Sequence, residues 1–79
     1  MPPLDIEYAE QVKNYFVDNG DYTGNLLGEI ERLRYADDGL PEENYTELGE
    51  GIIEWKMLDH WVYYRVRGRL LEILAVKPL

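Results

Sequence analysis

The sequence predicts an α+β domain of two layers, an N-terminal helical hairpin packed on a C-terminal three-stranded antiparallel meander (ααβββ), with residues 1–79 forming one domain. Three observations carry this reading. Residues 52–76 hold three runs of β-branched, aromatic and aliphatic residues separated by two short polar breaks, as in strands joined by tight turns. Residues 5–38 carry apolar side chains at spacings of three and four, the period of a helix face. The segment between them, 39–51, is rich in glycine and glutamate and has neither period. With 79 residues, a single core only narrowly outweighs chain entropy. The 46% apolar content, with two Trp, seven Tyr and one Phe, supplies enough material for one.

Taking the chain in order, Pro2 and Pro3 hold the first residues extended, and Asp5 can cap a helix or close a very short edge strand. Ile6, Ala9, Val12 and Phe16 fall on one helical face, with Glu7, Glu10, Lys13 and Asn14 opposite, which favours the helix. Asp18-Asn19-Gly20-Asp21 ends it, Gly20 suiting a left-handed terminus. Thr23 is then the N-cap of a second helix with Leu26, Leu27, Ile30 and Leu33 as its buried stripe, ending near Asp37-Asp38-Gly39. Each helix has one apolar stripe, so the pair requires a sheet to cover. The 39–51 segment reads as a solvated connector pinned by Tyr45 and Leu48.

Within the meander, Ile53, Trp55 and Met57 alternate with Glu54 and Lys56, and Val62, Tyr64 and Val66 alternate with Trp61, Tyr63 and Arg65. In the third run Leu71, Ile73 and Ala75 alternate with Glu72, Leu74 and Val76. Asp59-His60 and Arg67-Gly68 mark the turns. One sheet face is then aliphatic and meets the helices, while the other carries Glu54, Lys56, His60, Trp61, Tyr63, Arg65 and Glu72 and stays open.

Charge and composition narrow the function classes. The formal net charge of −8 argues against simple nucleic-acid binding, which needs a basic footprint. The average conceals a split: residues 1–50 carry thirteen acids against three bases, a net of −10, while residues 51–79 carry three acids against five bases, a net of +2. The chain has no cysteine and one histidine, which removes disulfides, thiolate metal sites and a cysteine nucleophile, and a zinc site built on that histidine would need several carboxylates. Asp37-Asp38 with Glu42-Glu43 lacks calcium-loop spacing. No metal or other cofactor is expected. The apolar runs are short and the N-terminus lacks the basic and apolar regions of a secretion signal, so the expectation is a soluble cytoplasmic protein with no membrane contact.

The run Tyr45-Thr-Glu-Leu-Gly-Glu-Gly-Ile-Ile-Glu-Trp-Lys-Met, followed by Asp59-His-Trp-Val-Tyr-Tyr-Arg-Val and, after a tight turn, Leu71-Glu-Ile-Leu-Ala-Val-Lys-Pro, resembles the C-terminal half of the RelE/ParE toxins of bacterial toxin–antitoxin pairs. The helical hairpin before it fits as well, so the resemblance covers most of the chain as a divergent, acidic member. It implies a protein neutralised by an antitoxin, acting on translation by mRNA cleavage at the ribosome or on DNA gyrase. The ribonuclease branch uses basic and tyrosine side chains on the open sheet face and no metal. The arginine that the family carries early in the middle strand falls here at about Trp61 or Val62, and the basic residue after the last strand is Lys77.

Cleavage through the ribose 2′-hydroxyl needs a base, a cation for the charged phosphorane and an acid for the leaving oxygen. The candidate catalytic residues are Lys56 and Arg65 for charge, Tyr63 for orientation and His60 for proton transfer, since an imidazole titrates near neutrality. The candidate binding residues are Trp61, Arg67, Lys77 and Glu54, with Trp61 and Tyr63 able to stack on bases. Two other classes compete. A non-enzymatic, phage-type inhibitor or adaptor could present the acidic helical layer to a basic host complex as a mimic of nucleic acid, and a homodimer could use the open aromatic face as its interface.

Overall fold

The computed structural model describes residues 2–79. Its elements run β1 (Asp5–Tyr8), α1 (Glu10–Asp18), α2 (Gly20–Arg32), a single 3-10 turn at Leu33–Tyr35, then β2 (Tyr45–Gly49), β3 (Ile52–Met57), β4 (His60–Arg67) and β5 (Leu70–Pro78). Among the described residues the strands form one five-stranded mixed sheet in the order β1-β5-β4-β3-β2, with β1 parallel to β5 and every other pair antiparallel. The expected three-stranded antiparallel meander is therefore the centre of a larger sheet, and the ααβββ reading is corrected to β-α-α-β-β-β-β.

Both added strands come from segments whose local pattern is ambiguous. Ile6 is the start of a helical stripe with Ala9 and Val12, yet Ile6 and Tyr8 are equally the inward pair of a strand. A free edge decides between them: Asp5 N donates to Arg69 O at 2.8 Å and Ala9 N to Ile73 O at 2.9 Å, so the segment is captured by β5. Pairing Ile6 with Leu71 and Tyr8 with Ile73 puts both on the covered face. The edge is strapped to the 3-10 turn by reciprocal bonds, Leu4 N to Arg34 O and Arg34 Nε to Leu4 O, and to the end of α2 by the Tyr8 hydroxyl donating to Glu31. Burial, and then the Glu31 carboxylate, push the Tyr8 phenol pKa up, so it stays a donor. At the other edge, β2 lies within the segment read as a connector, and all five of its residues are exposed. Only pairing with β3 makes it a strand.

The helices are shorter than expected and joined by Asn19 alone. Its N–H and its side-chain Nδ2 both donate to Tyr15 O, closing α1, and its carbonyl accepts from Tyr22 N, Thr23 N and Thr23 Oγ1, opening α2. Thr23 is thus not an N-cap but a buried residue within α2 whose hydroxyl bonds back one turn. Val12 from α1 and Leu26, Ile30 and Leu33 from the second helical segment meet Ile53, Trp55, Val62, Tyr64, Leu71 and Ile73 from the sheet in one core. Gly24 and Gly28 sit in the middle of α2, and a methyl group at either would meet nothing within 4 Å. Replacing both by alanine is expected to raise stability by about 1.5–2 kcal/mol, from the helix propensity of alanine over glycine; urea denaturation followed by circular dichroism checks this.

Turn placement and one bulge set the faces. The β3–β4 turn is Leu58-Asp59, both at positive φ (49° and 62°), as a two-residue hairpin of type I′ requires. It is one residue earlier than Asp59-His60, so His60 is the first residue of β4. The next turn is Gly68-Arg69 rather than Arg67-Gly68, with Gly68 at φ 59°. On β5, Tyr64 pairs with Ile73 but Tyr63 pairs with Ala75, leaving Leu74 as an extra residue. Beyond it the alternation inverts relative to the sequence reading: Val76 packs on the core, while Ala75 and Lys77 join the open face.

Candidate functional site

The open face is centred on β4, whose outward side chains are Trp61, Tyr63, Arg65 and Arg67. Register places Lys56 of β3 and Lys77 of β5 on either side of Trp61, Glu54 and Ala75 on either side of Tyr63, and Glu72 beside Arg65. Seven of the eight residues predicted from the sequence, Glu54, Lys56, Trp61, Tyr63, Arg65, Arg67 and Lys77, therefore share one surface.

That surface has two ends of different character. At one end Glu72 accepts from Arg65 Nε at 2.7 Å and from Arg67 Nη2 at 3.3 Å, with Arg67 Nε 2.8 Å away as an ion pair. The Arg65 hydrogen bond, with the charges of both arginines, holds the Glu72 carboxyl below the usual carboxylate range against an opposing effect of burial. Strand β1 adds Glu7 beside Glu72, and Asp5 next to Leu70, so the arginines face a comparable number of carboxylates. At the other end β1 has already stopped, because it pairs only with Leu70–Ile73. There Lys56 and Lys77 form no ion pair among the described residues. They flank Trp61 across two strand spacings, about 10 Å between outer backbones.

Tyr63 lies between the two ends. Its hydroxyl donates to Glu54 Oε2 at 2.8 Å, and its pKa is pushed up by that bond first, then by burial and the Glu54 charge. The Lys77 ammonium stands 5.8 Å from the Tyr63 ring centroid, within cation–π range. Tyr63 is thus a fixed, protonated hydroxyl whose ring orients Lys77.

His60 lies elsewhere. It is 2% exposed and points to the helix-covered face, between Tyr15 and Tyr22. A backbone carbonyl can only accept, so Nδ1 carries the proton and donates to Leu58 O at 2.8 Å. Nε2 is then the acceptor for the Tyr15 hydroxyl at 2.7 Å. Both ring nitrogens are occupied and the imidazole cannot reach a ligand on the open face. The one-residue displacement of the turn is the physical reason, since a shift of one in a strand moves a side chain to the opposite face. Nothing in the sequence marks Tyr15 and Tyr22 as its partners, because they come from the junction of two helices.

The arrangement offers an indole to stack on, two cations without carboxylate partners beside it, and a tyrosine hydroxyl held by a carboxylate. Among the described residues no group of three or more His, Asp or Glu side chains is placed to hold a metal ion, and no helix is long and apolar enough to cross a membrane. Comparison with family models, with curated proteins and with solved structures returned no match, so the geometry of this face and the sequence resemblance together carry the functional reading.

Proposed function

We propose that the chain is a RelE/ParE-like toxin of a toxin–antitoxin pair, acting on translation by holding a single RNA strand on its open sheet face. The observation that carries this reading is the in-register row Lys56–Trp61–Lys77. An aromatic platform for a base, with a cation on each side for the adjoining phosphates, is the minimal chemistry of single-strand recognition. With His60 committed to the core, the row supports binding more than efficient cleavage. The reading implies a cytoplasmic protein, held in check by an antitoxin, with DNA gyrase as the other target of the same family.

Expression without the neighbouring gene tests the proposal: growth should arrest, and unaffected growth would overturn it. Purified protein should bind a fluorescent single-stranded RNA. Two phosphate contacts give a slope of log K against log salt of about −1.4, and each Lys→Ala change should reduce it by about 0.7. Trp61→Ala should weaken binding by about 1–3 kcal/mol, the value of one stacked base. Anisotropy titrations at several salt concentrations measure both quantities, and a slope indifferent to Lys56 and Lys77 would refute the site.

A second reading has its own support. Glu42, Glu43, Glu47 and Glu50 all lie in an exposed stretch that includes edge strand β2, within the half of the chain that carries −10. A non-enzymatic acidic inhibitor of a basic host complex would use this edge, and its binding would survive Trp61→Ala.

A further inference from the structure

On the other side of the sheet from Trp61, a cavity of about 220 Å3 opens between the end of α2, the loop at residues 36–43 and β3. Leu33, Trp55 and Met57 supply apolar side chains to its lining. Trp55 is 2% exposed, and its indole Nε1 is buried without a hydrogen-bond partner among the described residues. A buried donor of this kind carries a desolvation cost unless something accepts from it. Trp55 also packs edge-on against Tyr64, with ring centroids 6.4 Å apart, so the indole is fixed in place and the donor is preorganised.

Two further observations define what fits. Small-molecule sites run from about 300 to 1,000 Å3, so this cavity matches one large side chain better than a whole ligand. Its margin carries Glu29, Arg32, Glu42 and Glu43. Arg32 is committed to Glu29 at 3.2 Å, which leaves the two loop glutamates, both exposed, as net negative charge at the mouth.

We infer that this cavity is the docking site for a segment of a basic partner protein. One large apolar side chain of the segment enters beside Trp55, an oxygen of the same segment accepts the Nε1 hydrogen, and flanking lysines or arginines meet Glu42 and Glu43. The inference goes beyond RNA binding on the open face and does not depend on it, because the two surfaces lie on opposite sides of the sheet.

The test uses the full chain with Trp61→Phe, so that Trp55 is the sole tryptophan, and an acetylated, amidated probe peptide, Lys-Lys-Ala-Phe-Ala-Lys-Lys. Addition of the peptide should move the Trp55 indole N–H resonance saturably and change its fluorescence. Changing the central phenylalanine of the probe to alanine should abolish the effect. Glu42→Gln with Glu43→Gln should weaken binding severalfold and flatten its salt dependence. Trp55→Phe, which removes one hydrogen bond, should weaken it by about three- to tenfold. Should Trp55→Phe fail to fold, the indole resonance of the intact chain still decides. No movement of that resonance at millimolar peptide would overturn the inference, as would binding indifferent to both glutamates. An indole N–H that exchanges with water but ignores the peptide would do the same.

Discussion

Gly39→Ala is expected to lower the stability of the fold by about 3 kcal/mol, combining the cost of a non-glycine residue in the left-handed region with overpacking of a filled core. Gly39 is buried with φ 71°. A Cβ there would stand 2.9 Å from Val66 Cγ2, 3.0 Å from Leu71 Cδ2 and 3.2 Å from Leu4 Cδ1. These three side chains come from β4, β5 and the segment before β1, and Leu71 is fully buried, so little freedom exists to give way. The Gly39 carbonyl also accepts from the Tyr64 hydroxyl at 2.8 Å. Tyr64 is the largest fully buried side chain, and burial pushes its phenol pKa up, so it remains a donor at all ordinary pH. Tyr64→Phe alone should cost about 1–3 kcal/mol by leaving that carbonyl unpaired. The double variant should cost less than the sum, because both changes act on one contact. Urea titration of the four proteins provides the cycle; a Gly39→Ala protein within about 0.5 kcal/mol of the parent, the range of neutral surface changes, would show that the loop adjusts freely.

His60→Ala should cost about 3 kcal/mol, from a cavity in the core and the loss of two hydrogen bonds. Tyr15→Phe removes one of those bonds and should cost about 1–2 kcal/mol, leaving Nε2 buried without a donor. The informative comparison is with RNA binding. If His60 acts only by packing, the folded fraction of His60→Ala binds RNA with unchanged affinity and unchanged salt slope, whereas Trp61→Ala loses affinity without losing stability. A His60→Ala protein that is fully folded but fails to bind or to arrest growth would return the imidazole to the site. Thermal denaturation paired with anisotropy on the same samples separates these outcomes.

Much of the covered face was legible in the sequence because its period is strict. Ile53, Trp55, Val62, Tyr64, Leu71 and Ile73 fall at every second position of their runs, and all six are buried in the core. Val12, Leu26, Ile30 and Leu33 were legible for the same reason at helical spacing. What the sequence hid depended on tertiary context. Four residues such as Asp5–Tyr8 satisfy both periods, and the exposed Tyr45–Gly49 buries nothing, so only the hydrogen-bonding edges of β5 and β3 reveal them as strands. The site was legible as a set of outward residues on β3 and β4. Its composition was misread by one member, His60, because the type I′ turn tolerates Leu58 at φ 49°, a conformation rarely assigned to leucine. The placement of Lys77 beside Trp61 follows from the bulge at Leu74, for which the sequence offers no glycine or proline as a signal.

That bulge also has a genetic consequence. Strand β5 has nine residues facing the eight of β4, so its distal half holds one residue in reserve. Loss of a single codon at Leu74 or Ala75 would let the ladder close into a regular hairpin with Val76 still inward and Lys77 still outward. The same loss in β3, which pairs without interruption from Ile53 to Met57, would turn its remaining side chains to the opposite face. Length variation among descendants of this gene should therefore be tolerated at Leu74 and Ala75 and selected against in the strand that carries Trp55.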